Sequence, residues 1–134
     1  MSMQVEQNQA DSKQMAASGL RAAMNIMERW GATREQMGKI LRVSASTLAR
    51  SKAGAGSGAK LDDDQLDRIS HVLNIHAALR TLFENPANLY GFVAMPNQNG
   101  FFNGRSPLEV MSDGSFASLY ETHRHIDGLR GAQW

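Results

Sequence analysis

The chain has 134 residues, no cysteine and a formal net charge of +1. That length allows one ordinary domain or two very small ones, with one modest core, which argues against a large enzyme site. The lack of cysteine excludes disulfides and thiolate metal sites and suits a reducing cytoplasm. No run of about 18 apolar residues is present to span a membrane, and the polar opening MSMQVEQNQADSKQ lacks the apolar stretch of a signal peptide.

The small net charge hides an asymmetry. Residues 1–60 carry nine Lys or Arg against four acids, and residues 61–134 carry five Arg against nine acids. A basic half and an acidic half suggest different partners, and the basic half suits phosphates.

In chain order, residues 1–14 have almost no apolar content and no period, and read as a disordered tail. From Met15 the pattern turns helical: Leu20, Ala23, Met24, Met27 and Trp30 share one face, and Gly31 ends the helix. Thr33-Arg34-Glu35-Gln36 is a capping box that opens a helix carrying Met37, Ile40 and Leu41 inward. Arg42-Val43-Ser44 makes a short turn without the glycine usually found there. Ser44 or Ser46 then caps a helix containing Leu48. Two short helices joined in this way are a helix-turn-helix. The stretch AGAGSGA at 53–59 reads as a flexible linker. It coincides with the change of charge, so the expected division is a tail at 1–14, a helix-turn-helix with its linker at 15–58, and a second domain at 59–134.

That second domain starts at Asp62, with Gln65 three residues on to close a box and three acids facing the positive helix end. Leu66, Ile69, Val72, Leu73, Leu79, Leu82 and Phe83 follow at helical spacing, as one long helix or two broken near Asn74. Asn85-Pro86 caps a further helix. MPNQNGFFNG (95–104) is an irregular loop, and Ser106-Pro107-Leu108-Glu109 is the clearest helix start in the chain. Phe116, Leu119, Tyr120, His123 and Ile126 mark a last helix, loosened by Gly128 and Gly131. The fold class is therefore all-α: an N-terminal helix-turn-helix bundle followed by a small helical domain.

Catalytic constellations are missing. GAGSG has no following Lys-Ser/Thr and no preceding strand, so it is not a phosphate loop. His123 and His125 point about 200° apart on one helix, which is poor geometry for chelation. No cofactor, no metal and no enzymatic activity are expected.

The stretch from Leu66 to Trp134 resembles the toxin-binding domain of the Xre/MbcA/ParS antitoxins. The resemblance rests on LDRISHVLNIHAALRTLF (66–83), MPN (95–97), FFNGRSPLEVM (101–111) and LYETHRHID (119–127), in that order and spacing. Two positions depart from the family pattern. Asn103 stands where a second glycine is common, and Phe92 where Trp is common. The resemblance implies a partner toxin of the RES-domain class, which consumes NAD or transfers part of it. It also implies obstruction of the toxin's NAD cleft by the antitoxin's C-terminal region, and repression of the operon through the helix-turn-helix.

The residues assigned to the toxin contact are Asn97, Phe101, Phe102, Arg105, Arg124, Leu129, Arg130 and Trp134. One of the two adjacent Phe residues is expected to pack inward and the other to meet the partner. Arg105 bridges to the partner or ties the loop to its own carbonyls. Trp134 either plugs the toxin cleft or frays as termini do. On the helix-turn-helix, Ser46, Thr47 and Arg50 face base edges, while Arg42, Lys52 and Lys39 sit near phosphates. A palindromic operator would require a homodimer. Alternatively the helix-turn-helix only dimerises or braces the second domain, or the chain is a stand-alone helix-turn-helix regulator with a C-terminal sensor domain.

Overall fold

The computed structural model describes residues 3–54 and 60–131, with side chains as far as Leu129. Among them are seven helices and no strand: α1 (Met3–Arg29), α2 (Arg34–Leu41), α3 (Ala45–Lys52), α4 (Asp63–Leu82), α5 (Pro86–Ala94), α6 (Pro107–Met111) and α7 (Phe116–Gly131). None is long and apolar enough to cross a membrane.

Most helix boundaries follow from local chemistry. The Thr33 hydroxyl accepts from the Gln36 N–H at 3.1 Å, and the Gln36 side chain accepts from the Thr33 N–H at 2.8 Å. Asp62 and Gln65 make the same reciprocal pair at the start of α4. Ser44, rather than Ser46, caps α3. Asn85 and Ser106 cap α5 and α6, each followed by a proline that has no N–H to leave unsatisfied. Gly31 ends α1 at φ +85°, a conformation open to glycine at little cost.

Two expectations fail. Residues 3–14 are not an irregular tail but the first turns of α1. No described residue before Ala17 is buried, in keeping with the low apolar content there. A helix already nucleated on Leu20, Met24 and Met27 nevertheless propagates outward at little cost through Gln, Glu, Ala and Lys. The end of α7 likewise continues through Gly128 to Gly131, because a glycine inside a helix costs only about 1 kcal/mol.

The helix at 63–82 is unbroken at Asn74, and it is the centre of the molecule. Ile69, Val72, Ile75, Ala78 and Leu79 are buried against α1, α2, α5 and α7. Each fully buried Val, Leu or Ile among them contributes roughly 1.5–3 kcal/mol. A single hydrophobic core runs from Leu20 to Ile126, so it does not divide at residue 58. The glycine-rich stretch 55–59 that suggested the boundary lies outside the described residues.

Candidate functional site

The first candidate surface is the α2–turn–α3 unit. Its turn opens on Arg42 in the left-handed region (φ 57°, ψ 44°), a conformation that costs an L-residue about 1–2 kcal/mol. Contacts from α4 offset that cost. The Gln65 amide donates to the Arg42 carbonyl at 2.8 Å. The Arg42 guanidinium donates to Asp62 and, at 2.7 Å, to Asp64. It thereby holds both carboxyls below the usual carboxylate range. Arg42 was expected at a DNA phosphate; it is committed inside the chain instead.

Lys52 is committed as well, to Glu28 at 2.8 Å, and Lys39 pairs with Glu35 at 3.6 Å. Thr47 braces the cap, accepting from the Ser44 hydroxyl at 2.9 Å. Ser46 and Arg50 do face solvent, beside Ala45 and Ala49. These four residues, at i, i+1, i+4 and i+5, form an open helix face of small side chains with one arginine. Such a face can approach a groove closely.

The second candidate surface comprises the 95–105 loop and α7. The loop is closed by its own backbone: Asn97 N–H donates to the Arg105 carbonyl at 3.1 Å, and Gly104 N–H to the Asn97 carbonyl at 2.8 Å. The Asn97 side chain accepts from the Asn99 N–H at 2.8 Å. Arg105 donates to the carbonyls of Phe102 and Phe101, at 2.9 and 3.0 Å. Asn97 and Arg105 therefore build the loop. Phe102 is 1% exposed and cannot reach a partner, which corrects its assignment to the toxin contact. Phe101 is half-buried and stacked on His125, with ring centroids 4.2 Å apart.

On α7, Leu119, Thr122 and Ile126 face the core. Arg124 is exposed, with Glu121 at 3.2 Å, and Leu129 is half-buried. The Arg130 side chain and Trp134 lie outside the described residues. Of the residues whose spacing marks this helix in the sequence, Phe116 and Tyr120 are 37% and 45% exposed. The buried stripe of α7 is narrower than the run of apolar residues suggested.

His71 of α4 joins this surface. Its ring meets Phe116 and Tyr120 edge-on, and its Nδ1 lies 2.8 Å from His123 Nδ1. Two neutral imidazoles satisfy that contact with one donor and one acceptor nitrogen. Burial pushes the His71 pKa down, with Asp67 opposing. A histidine lowered in the fold resists a proton that the unfolded chain accepts. Its contribution is therefore intact above the unfolded pKa of about 6.5 and declines as pH falls below it. Melts at about pH 7.5 and about pH 5.5 should show Tm falling with acid. His71→Phe should flatten that slope without abolishing it, since burial also lowers the His76 pKa. An unchanged slope would rule the pair out as a source of acid sensitivity.

Residues 9–74 match the antitoxin Xre-like helix-turn-helix domain, and residues 78–131 match the antitoxin Xre/MbcA/ParS C-terminal toxin-binding domain. The uncharacterized protein y4oB of Sinorhizobium fredii is 32% identical over 123 residues, which covers 91% of each chain. The chain belongs to the Xre/MbcA/ParS antitoxin family. In this antitoxin the two matched regions meet between residues 74 and 78, inside α4.

Sequence reasoning missed Arg68. It is 6% exposed and donates to the carbonyls of Gly114 (2.9 Å) and Ile40 (3.3 Å) and to Asp64 (3.0 Å). It thus ties the end of α2 to the turn before α7, joining the two candidate surfaces. Among the described residues, no three His, Asp or Glu side chains converge to hold a metal.

Proposed function

We propose that this antitoxin binds and neutralises a RES-type toxin that consumes NAD or transfers ADP-ribose, with residues from Leu129 onward obstructing the toxin's active-site cleft. The observation that carries this reading is the arrangement of α7. One face is locked in the core by Leu119, Thr122 and Ile126, while Phe116, Tyr120 and Arg124 stand exposed along another. Aromatic and arginine side chains on a rigid helix are the usual anchors of a protein interface. The match of residues 78–131 to a toxin-binding domain supports a toxin as the partner of this region.

The chain further represses its own operon as a homodimer, with Ser46 and Arg50 of α3 reading base edges. The open α3 face supports that reading. The test is co-expression with the product of the adjacent gene. The expected result is a stable complex and rescued growth. Full toxicity with no complex, while the chain still binds its operator, would favour a stand-alone regulator.

A further inference from the structure

The cations nearest the helix-turn-helix are largely neutralised within the chain. Lys39 faces Glu35, Arg42 faces Asp62 and Asp64, and Lys52 faces Glu28. Arg34 and Arg50 enter none of these ion pairs, but two cations neutralise few phosphates, and strong DNA binding requires a further source.

A groove of about 570 Å³ offers one. It is lined by Val5, Asn8, Gln9, Ser12 and Lys13 of α1, and by Lys60 on the segment entering α4. Both lysines are exposed, no acid lines the groove, and neither lysine enters an ion pair among the described residues. Every polar residue in the lining can donate a hydrogen bond, and phosphodiester oxygens only accept. Lys60 lies two residues from Asp62, within about 7 Å along the backbone. Asp62 in turn holds Arg42, the residue that opens the turn into α3. The groove therefore lies at the same end of the molecule as that turn. It also accounts for the first turns of α1, which bury nothing in the core.

We infer that Lys13 and Lys60 contact the sugar-phosphate backbone of duplex DNA beside the site occupied by α3. Lysine suits this role as a compact point charge without the fork that reads base edges. The contact adds affinity and leaves sequence choice to α3. The inference rests on the DNA-binding reading of the helix-turn-helix.

Salt dependence of binding to a random-sequence 30-base-pair duplex tests it, using the full chain. Each lost phosphate contact lowers the slope of log Kobs against log salt by about 0.9. Lys13→Gln/Lys60→Gln should therefore reduce the slope by about 2, with an unchanged melting curve because both side chains are exposed. Lys52→Gln, whose partner is Glu28, should leave the slope as it is. A double variant with the wild-type slope overturns the Lys13–Lys60 contact while leaving DNA binding standing. Failure of the unmodified chain to bind any duplex at low salt overturns the DNA reading, and this inference with it.

Discussion

Replacing Arg68 with alanine is expected to destabilise the chain by about 3 kcal/mol, roughly a 10 °C fall in Tm for a domain of this size. The ion pair with Asp64 is a minor part of that figure. The Asp64 side chain is 41% exposed and keeps Arg42 as a partner, so solvent screens what is lost. The carbonyls matter more. Ile40 is in the last turn of α2, where a carbonyl has no N–H four residues ahead to bond it. Arg68 supplies the donor and brings a positive charge to the negative end of that helix. The Gly114 carbonyl, on the turn before α7, bonds the same nitrogen. Alanine leaves both acceptors without this donor in a closed space and opens a cavity under Phe116, whose ring lies 6.0 Å from the guanidinium carbon. Lysine at the same position keeps the charge but not the fork, and should lose less. Urea unfolding measures the difference. An R68A midpoint equal to that of the wild type would mean that the bridge between α2 and α7 contributes nothing to stability.

Arg68 also marks where the sequence stops being legible. Features set within four residues could be read directly: the boxes at Thr33 and Asp62, the prolines after Asn85 and Ser106, and the glycine that ends α1. Features set by distant contacts could not. Arg68 meets partners 28 and 46 residues away, and Arg42 meets Asp62 across 20. On a helical wheel a buried arginine looks like any solvated one. The DNA surface suffered most from this. Charge counting nominated Arg42, Lys39 and Lys52 as cations, but not the acids that neutralise them. The glycine-rich stretch suggested a joint between charge blocks, yet one core spans both blocks. Nothing in its composition could indicate that α4 would pack on α1 and α7 at once. The adjacent pair Phe101 and Phe102 was read as one in and one out. Which faced inward depended on the loop closing between Asn97 and Arg105, a pairing no periodicity encodes.

Deleting residues 129–134 is expected to abolish neutralisation while leaving the fold intact. Among the described side chains the last buried one of α7 is Ile126, and Leu129, the one removed residue whose side chain is described, is half-buried. Stability should therefore change by no more than about 0.5–1 kcal/mol. If Arg130 and Trp134 act as anchors worth about 2 kcal/mol each, their loss weakens the complex by roughly a thousandfold. Such anchors are not additive, so the size of the loss is less informative than its kind. Docking and obstruction are separable here, because Phe116, Tyr120 and Arg124 remain in the truncated chain. If those residues hold the partner and the end of the chain fills its cleft, the truncated antitoxin should still co-purify with the toxin when both are abundant. On the proposed RES-type reading, NAD consumption by that complex should be restored. Loss of co-purification would instead place the affinity itself beyond residue 128. Full protection of growth by the truncated chain would show that the cleft is closed by another part of the molecule, and the exposed stripe of α7 would then be the place to look.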